Sequence, residues 1–531
     1  MKKNYSFLFF LILKTMTGFS QPANNNISNT SFFAGEPYLA VNPSNHQNIV
    51  IAWMALDFST GFRVAIKSKV SFDGGNTWGN QYIQPHFGAT WQSADVCLQY
   101  RPNGTLYLTY IDYREAPDSG GVYITHSKNG GITWTLPTRI WNGLTEDPSK
   151  RPFDRPWLAI DNSATSNGGA FYMTTKPAPW IAAPNRPYLK TSLDSGQTWS
   201  NYRNIDTFNY LVGNLAAPMA FPTVSADGAL CIAYPSYLTS QFVYPKYLLA
   251  KSYNRGASFL YYDLFINPVS VTNSEYKLGY RLAANPSNAN QLAFAFIAQT
   301  NGDPDVFLTT TNNGGISWNK PVRVNDDLIS NGKGQDMVWV NYDNNNKLVL
   351  TWRDRRNGTG SGFYQSSDTY CAVSTDNGNT FQTNVRLSNA TVPFDSILTQ
   401  SGNDFLSNQF LNDTIYSAWG DVRTGKLNIF FTKTAYTTGT GLLPININEG
   451  LFSIYPNPAS NKLNFTYSDN KIKKLEIKLL NATGQEVLSK EILLNSHEFS
   501  LDVSHLLPGI YFVNIIADKQ KQFEQTISIS K

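Results

Sequence analysis

The sequence predicts an all-β protein built from radially repeated sheets, and three observations support this class. First, an eight-residue pattern, Ser/Thr-x-Asp/Asn-x-Gly-x-Thr/Ser-Trp/Phe, occurs six times in the 531-residue chain. Second, the copies follow one another at a near-constant spacing of about 60 residues, which is typical of radial repeats in strand-rich proteins. Third, short apolar runs alternate with turns rich in Asn, Gly, Pro and Ser, and no long amphipathic helix is found.

Each copy of the pattern is expected to form a tight turn. Its Asp or Asn can accept hydrogen bonds from nearby backbone N–H groups, its Gly supplies a positive φ, and its closing aromatic ring can pack back between sheets. The copies begin at Ser71, Ser127, Ser192, Ser252, Thr311 and Ser374. The pattern resembles the Asp-box, or BNR repeat, of sialidase-like β-propellers, and its role is therefore expected to be structural.

The number of strand units exceeds the number of repeats by one. First strands begin near Glu36, Ala94, Asp154, Met219, Gly279, Asp336 and Asn403. The seventh unit, residues 404–433, offers three strands and no repeat. Residues 25–33 are expected to add its fourth strand, because closing the ring with both termini removes an exposed sheet edge. We predict a seven-bladed β-propeller over residues 25–436, with six blades as the alternative.

The N-terminus has the features of an export signal. Lys2 and Lys3 precede an apolar run from Phe7 to Leu13, and small or polar residues follow, which predicts a signal peptide over residues 1–20. No later segment is apolar enough to span a membrane. A net charge of +4 with 15% charged residues gives no footprint for nucleic-acid binding.

The composition changes after Tyr436. Residues 437–450 are predicted to be a linker, and residues 451–531 to form a small β-sandwich. This module contains the motifs IYPNP, NATGQEV and LPGIYFV. It resembles the type A sorting domain of the Bacteroidetes type IX secretion system. The resemblance implies that the secretion machinery is a partner and that the chain crosses the outer membrane, to be released or attached at the cell surface.

Candidate site residues are sought where loops from several blades meet at the channel of a propeller. The third unit is richest, because RPFDRPW places an arginine and a tryptophan at the start of a first strand. A histidine precedes the first strand of the second unit. We predict that these residues converge between the second and third blades, with His86 and Tyr172 catalytic and Arg155, Arg186, Trp157 and Tyr188 binding substrate. The alternative is an Arg–Asp pair with aromatic packing.

The predicted function is cleavage of a uronate-containing polysaccharide by a secreted lyase. β-Elimination needs a cation that neutralises the uronate carboxylate, together with a base and an acid, which His and Tyr can supply. The arrangement resembles that of seven-bladed propeller lyases that act on ulvan-type polysaccharides. This chain departs from them at the second histidine of that family, where it has Tyr110 and Tyr113. The alternatives are a sialidase-like glycoside hydrolase and a non-catalytic glycan-binding or adhesive propeller.

No cofactor is assigned from the sequence. Asp303 and Asp305 could offer oxygen atoms to Ca²⁺, no zinc-binding spacing is present, and a structural calcium or zinc ion is left open. Three Asp-x-Arg pairs end second strands: Asp112/Arg114, Asp354/Arg356 and Asp421/Arg423. Their recurrence favours ion pairing within each repeat over catalysis.

Overall fold

The computed structural model divides the chain into two compact units, a larger one over residues 20–437 and a C-terminal one from residue 438. It describes residues 22–58, 62–114, 119–150, 152–178, 181, 185–206, 219–236, 246–266, 271, 276–277, 279–359, 362–394, 402–436, 452–467, 474–481, 485–493, 498–517 and 521–531. The predicted signal peptide and linker lie outside these residues. Within them, the helical content is one 3-10 turn, Pro148–Lys150, so the all-β prediction is confirmed.

The larger unit consists of four-stranded antiparallel sheets, here called blades 1 to 7. Blade 1 contains β2 (Ala34–Val41), β3 (Ile49–Asp57), β4 (Arg63–Ser71) and β5 (Tyr82–Ile83). Blade 2 contains β6 (Gln92–Tyr100), β7 (Leu106–Arg114), β8 (Ser119–Ser127) and β9 (Thr138–Asn142). Blade 3 contains β10 (Phe153–Ile160), β11 (Phe171–Pro177), β12 (Tyr188–Ser192) and β13 (Arg203–Asn204). In each blade the strands pair in chain order.

The remaining blades follow the same plan. Blade 4 contains β14 (Phe221–Val224), β15 (Leu230–Ser236), β16 (Lys246–Ser252) and β17 (Leu260–Ile266). Blade 5 contains β18 (Tyr280–Ala284), β19 (Leu292–Ala298), β20 (Asp305–Thr311) and β21 (Val322–Arg323). Blade 6 contains β22 (Gln335–Tyr342), β23 (Leu348–Asp354), β24 (Asp368–Ser374) and β25 (Val385–Arg386). Blade 7 contains β26 (Ser407–Leu411), β27 (Thr414–Asp421), β28 (Asn428–Ala435) and the N-terminal β1 (Asn25–Asn26).

The first strands of successive blades contact one another in order, and β26 of blade 7 contacts β2 of blade 1, which closes the ring. The closing strand comes from the N-terminus, as the sequence predicts: Asn25 pairs with Phe431 and Asn26 with Phe430. The side chain of Ile27 is buried in the apolar cluster between blades 7 and 1. Strand β28 therefore has a partner on each side.

The eight-residue repeats form hydrogen-bonded turns after the third strands. In the first repeat, the Ser71 hydroxyl accepts a hydrogen bond from the Gly75 amide (2.8 Å) and donates one to Asp73 (2.8 Å). Asp73 also accepts the Thr77 amide (2.8 Å), and the Trp78 indole donates to the Gly75 carbonyl (3.2 Å). Because Val41 pairs with Ile49 and Ile49 with Ser71, these turns share one end of the blades with the first-to-second turns. We call it the repeat face and the opposite end the loop face.

The C-terminal unit is a small two-sheet module with its own apolar core. One sheet contains β29 (Phe452–Tyr455), β30 (Lys462–Tyr467) and β33 (Glu498–Asp502). The other contains β31 (Lys474–Asn481), β32 (Glu486–Leu493), β34 (Gly509–Ala517) and β35 (Lys521–Ile529). In β30 the buried Leu463 and Phe465 alternate with the polar Lys462, Asn464 and Thr466, as expected for a sandwich strand with one face on the core.

Candidate functional site

A pocket of about 260 Å³ lies where the first strands begin at the loop-face end of the channel. Its apolar lining consists mainly of aromatic rings, and its polar lining consists of carboxylates and cations. The aromatic residues are Trp157, Phe221, Tyr276, Tyr280, Trp339 and Phe405, and the charged residues are Asp154, Arg155, Lys176, Lys277 and Asp404. We call this feature the channel-mouth pocket.

The floor of the pocket is a layer of aromatic rings from different blades that meet across the channel. The Trp157 ring centroid lies 5.0 Å from that of Phe221 and 5.3 Å from that of Phe405. Trp339 lies 5.9 Å from Phe405, and Tyr38 contacts both tryptophans at 5.4 and 5.8 Å. Such a layer offers a flat apolar surface on which the apolar face of a sugar ring can pack.

Arg155 holds four carboxyl groups from different parts of the chain. Its NH1 lies 3.1 Å from Glu36 and 3.2 Å from Asp95, and its NH2 lies 2.5 Å from Asp404. Its Nε lies 3.8 Å from the neighbouring Asp154. Glu36, Asp95 and Asp404 belong to blades 1, 2 and 7, so one guanidinium ties three first-strand regions to blade 3.

A repeated backbone irregularity aims these residues at the channel. The register between first and second strands shifts after Gly35, Ala94 and Asp154. Glu36, Asp95 and Arg155 follow these points with φ of 53°, 54° and 56°. A bulge re-aims a side chain, and positive φ in a non-glycine residue is uncommon and strained. Three blades thus use the same device to place a charged residue at the channel.

The carboxyl groups around Arg155 have pKa values displaced in opposite directions. Burial raises the pKa of Glu36 to about 7, although Arg155 opposes the shift. Burial also raises the pKa of Asp95 well above its ordinary value. For Asp154, burial is outweighed by Lys176, by hydrogen bonding to Asp95 and by Arg155, and the pKa is lowered. For Asp404, Arg155 and Lys277 likewise outweigh burial and lower the pKa.

The four carboxyl groups share one guanidinium and shift one another's pKa values. Asp154 and Asp404 line the pocket and stay ionised, whereas Glu36 and Asp95 are buried and retain protons to higher pH. The two ionised groups are also paired with lysines: Lys176 with Asp154, and Lys277 with Asp404 at 2.7 Å. Carboxyl groups whose environments separate their pKa values are suited to act as an acid and a base.

The structure brings two of the predicted site residues into the pocket. Arg155 is one of its charged residues, and Trp157 is part of its floor. The ion pairs of Arg155 with aspartates match the alternative stated for this segment. The pairing extends to carboxylates of three other blades, which the local motif does not indicate.

Other predicted residues lie elsewhere, so the predicted convergence is not found. Tyr172 is fully buried in the layer between blades 3 and 4. Burial, opposed by Arg255 and reinforced by Asp161, raises its pKa to about 12. Tyr172 is the second residue of β11 and pairs with Ala159 and Thr191. Because a second strand starts at the repeat face, Tyr172 lies near that face and not near the loop face, where the sequence predicts it to be.

Tyr188 and Arg186 are likewise not among the described residues that line the pocket. The Tyr188 ring packs against Trp141 and Phe153 in the core, and its hydroxyl donates a hydrogen bond to Asp147 at 2.6 Å. Arg186 lies two residues away and is half-buried. The hydroxyl of Tyr188 thus binds blade 3 to the loop that precedes it.

His86 forms a separate arrangement at the loop face of blade 2. Its Nδ1 lies 2.7 Å from Asp112 and 3.1 Å from the Ser93 hydroxyl, which also donates to Asp112 at 2.9 Å. The Phe87 amide donates to the second oxygen of Asp112 at 2.8 Å. The side chain of His86 is 6% exposed, and its Nε2 has no hydrogen-bond partner within the described residues. A carboxylate thus orients the ring, and Nε2 is buried without a hydrogen-bond partner among the described residues.

The Asp-x-Arg pairs behave as predicted in two blades. Asp354 pairs with Arg356 at 2.9 Å, and Asp421 pairs with Arg423 at 2.6 Å. In each, an indole N–H from a tryptophan two residues earlier also donates to the aspartate. In blade 2 the aspartate is Asp112, which binds His86 instead. In blade 2, His86 therefore occupies the place that an arginine has beside the corresponding aspartate in blades 6 and 7.

Sequence reasoning missed Glu36, Asp95, Lys176, Lys277 and Asp404. One signal was present for two of the bulges: Glu36-Pro37-Tyr38 and Arg155-Pro156-Trp157 share a charged residue, a proline and an aromatic residue at the same register. Asp404 and Lys277 carry no local motif, because their role depends on the meeting of blades 5 and 7 with blade 3.

The described residues contain no group of three or more His, Cys, Asp and Glu side chains suited to a metal ion. Of the calcium candidates, Asp305 is bound by Arg323 (2.8 Å), Asn325 (2.7 Å) and Asn301 (2.9 Å). Asp303 accepts the Lys333 amide at 3.1 Å. These donors bind the Asp305 carboxylate, so its oxygen atoms are used in contacts within the protein.

Comparison with known families identifies the C-terminal unit. Residues 453–530 match the secretion system C-terminal sorting domain, which confirms the prediction from its three motifs. The chain is therefore a substrate of type IX secretion, delivered to the cell surface or outside the cell. No helix among the described residues has the length and apolarity needed to cross a membrane. No curated protein sequence matches the chain.

Solved structures similar to the chain include sialidase-like propeller enzymes. A Hadza microbial sialidase has 13% identity and a TM-score of 0.41, covering 73% of this chain and 76% of its own. A GH93 α-L-arabinofuranosidase of Fusarium graminearum has 10% identity and a TM-score of 0.43, covering 78% and 98%. A protein of unknown function from Dyadobacter fermentans has 14% identity and a TM-score of 0.40, covering 67% and 98%. None of these likenesses assigns an activity to the chain.

Proposed function

We propose that this exported propeller is a carbohydrate-active enzyme that hydrolyses a glycosidic bond in the channel-mouth pocket. The observation that carries the proposal is the cluster of four carboxyl groups around Arg155, in which buried groups with raised pKa values lie beside ionised groups that face the pocket. Glycoside hydrolysis requires one carboxyl group as an acid and a second as a base or nucleophile.

Asp404 delivers the proton in this proposal, and Glu36 stores it. The side chain of Asp404 is 29% exposed in the pocket and shares the Arg155 guanidinium with Glu36, whose pKa of about 7 keeps a proton available near neutral pH. Asp404 is ionised at rest, so it takes the proton of Glu36 and passes it to the leaving oxygen as the bond between that oxygen and the anomeric carbon breaks. Glu36 is left as a carboxylate and regains a proton before the next turnover. The two carboxyl groups therefore titrate as one unit.

Asp154 is the base. Lys176 and Arg155 keep it ionised, and it lies near the Nε atom of Arg155, whereas Asp404 binds the NH2 atom. A water molecule attacks the anomeric carbon, and its proton goes to Asp154. Arg155 fixes the relative positions of both carboxylates, and the ring layer of Trp157 and Trp339 supports the sugar. Positioning of this kind lowers the entropic cost of the reaction.

The charge balance of the pocket favours a neutral or singly anionic sugar. Arg155, Lys176 and Lys277 supply three positive charges, and each has a carboxylate partner. Asp154 and Asp404 supply two negative charges, while Glu36 and Asp95 retain protons because their pKa values are raised. The pocket therefore carries one net positive charge. A polyanionic segment would meet cations that are already paired.

A uronate lyase is the second candidate, because His86 is oriented by Asp112 with its Nε2 unpartnered. In that proposal His86 takes the C5 proton, and a tyrosine of the same loop face protonates the leaving oxygen. Tyr110 and Tyr123 pair with each other on neighbouring strands of blade 2, and they replace Tyr172 in this role. A glycan-binding propeller without catalysis is the outcome if neither site cleaves.

Product analysis separates these functions. The purified mature chain is incubated with ulvan, other uronate polysaccharides, sialoglycans and arabinan. Hydrolysis releases reducing ends without unsaturated uronate, and we expect Asp404→Asn and Asp154→Asn to abolish it. Asp413→Asn is the matched control, because Asp413 also pairs with a lysine, Lys347, but on the repeat face.

Unsaturated uronate absorbing near 235 nm, lost in His86→Ala and kept in Asp404→Asn, would establish the lyase in place of the hydrolase. Binding without any product would establish the non-catalytic alternative. Reducing ends that persist at full rate in both aspartate variants would remove the channel-mouth pocket as the site of cleavage.

A further inference from the structure

Arg281 lies against the aromatic floor of the pocket but does not line the pocket. Its guanidinium carbon is 3.9 Å from the ring centroid of Trp339 and 5.0 Å from that of Phe221. Its NH2 donates a hydrogen bond to the Tyr38 hydroxyl at 3.1 Å. Strand β18 begins at the pocket with Tyr280 and runs toward the repeat face. Arg281 is therefore one step deeper in the channel than the pocket wall.

The charge of Arg281 lacks the compensation that the other channel cations have. Arg155, Lys176 and Lys277 each pair with at least one carboxylate. Arg281 has no ion pair within the residues that the structure describes, and its polar contact there is the Tyr38 hydroxyl. The residue is nevertheless partly exposed rather than sealed in the core. Contact with aromatic faces stabilises a cation but does not neutralise it.

The channel beyond Arg281 is lined by uncharged polar side chains. Alternation along a strand places residues two positions apart on the same side. Gln99 follows Cys97, Thr223 follows Phe221, and Asn341 follows Trp339, so these three side chains face the channel on its repeat-face side. All three are partly exposed. They supply hydrogen-bond donors and no carboxylate that could repel an anion.

We propose that the repeat-face half of the channel binds a small monovalent anion, a halide or a small carboxylate, against Arg281 and the Tyr38 hydroxyl. The anion neutralises the cation directly below the pocket floor. The aromatic layer separates the two compartments, since Trp157, Trp339 and Phe405 contact one another across the channel. The anion therefore enters from the repeat face, and its binding is independent of the proposed hydrolysis.

Chloride titration of the full-length mature chain tests this site. Thermal unfolding is followed while chloride replaces gluconate at constant ionic strength, so that screening stays fixed. We expect saturable stabilisation, as for any ligand that binds the folded state alone, and its loss in Arg281→Met. The control is Arg203→Met, because Arg203 also lacks a carboxylate partner among the described residues but lies on the outer strand β13 and binds the backbone carbonyls of Gly256 and Ala257 in the repeat turn of blade 4; it should keep the response.

Bromide-soaked crystals of the wild-type chain give a second measurement, which does not require any variant to fold. An anomalous peak beside the Arg281 guanidinium, on the side away from the pocket, is the expected result. The inference is overturned if no peak is present there, or if chloride stabilises wild type and Arg281→Met equally. A peak inside the channel-mouth pocket alone would also overturn it.

Discussion

The guanidinium of Arg155 lies 3.1 Å from the carboxyl group of Glu36, although the two residues are 119 positions apart in the chain. Both follow a register shift in a first strand and both have positive φ. The contact joins blades 1 and 3 across the channel and sets the protonation of the neighbouring carboxyl groups. Stability and proposed chemistry therefore depend on the same residue.

Arg155→Met should destabilise the propeller strongly. The substitution removes the cation shared by ionised Asp154 and Asp404 and leaves buried Glu36 and Asp95 without their guanidinium partner, and breaking a buried ion pair in this way typically costs about 3–5 kcal/mol. Urea unfolding of the variant measures the loss. Arg423→Met is the control and should lose less, because buried Asp421 keeps the Trp419 indole and the Arg423 amide as donors. Equal losses in the two variants would contradict the special role of Arg155.

Propeller stability should fall as the pH rises from about 4.5 to 7. The folded-state pKa of Glu36 is raised from 4.5 to about 7, so the folded chain keeps a proton that the unfolded chain releases. The contribution is fully present below pH 4.5 and is lost as the pH reaches about 7, amounting to roughly 3 kcal/mol at 1.36 kcal/mol for each pKa unit.

Glu36→Gln is the control for this pH effect, because the glutamine side chain does not titrate. Free energies of unfolding measured from pH 4.5 to 8 should fall less steeply in the variant than in wild type. The same slope in both would show that Glu36 does not hold its proton in the folded state.

Gly75→Ala should destabilise the closure of the ring. Gly75 has a φ of +91°, and a Cβ there would lie 2.5 Å from the Phe431 ring of blade 7. Gly425→Ala is a matched control, since Gly425 has a φ of +80° and open space around it. Backbone strain affects both, at about 1 kcal/mol or more, so the additional loss in Gly75→Ala reports the clash. Thermal unfolding provides the measurement, and identical midpoints would argue against close packing of the first repeat on blade 7.

Ile27→Ala should weaken the N-terminal closing strand. The Ile27 side chain is 1% exposed within the cluster that joins blades 7 and 1. Truncations of buried isoleucine cost about 2–5 kcal/mol. Urea unfolding should show that loss together with faster proteolysis near the N-terminus. A loss within experimental error would mean that residues 25–27 do not contribute to closure.

The architecture was predictable because repetition averages out local ambiguity. Six copies of one turn, each with Ser or Thr, Asp or Asn, and Gly in fixed positions, indicate the end of the third strand in six blades. The N-terminal strand was predictable from an unpaired edge, since blade 7 lacks a fourth strand after Lys433. The sorting domain was predictable from three motifs within one short module.

The site was less predictable because its residues are adjacent only across blades. Arg155 and Trp157 belong to one motif and were found. Asp404 and Lys277 come from blades 7 and 5, and nothing near them in the sequence indicates that they meet blade 3. Tyr172 was assigned to the loop face because strand depth depends on register, and its observed pairing with Ala159 moves it toward the repeat face.

The rate of glycan hydrolysis by Asp404→Asn, compared with wild type and with Asp413→Asn, tests the central claim most directly. Loss of a general acid typically lowers the rate by about 10²–10⁴-fold, and we expect a loss of this size in Asp404→Asn with the folded state retained. Asp413→Asn should hydrolyse the same glycan at the wild-type rate. Wild-type hydrolysis by Asp404→Asn would contradict the assignment of the channel-mouth pocket as the catalytic site.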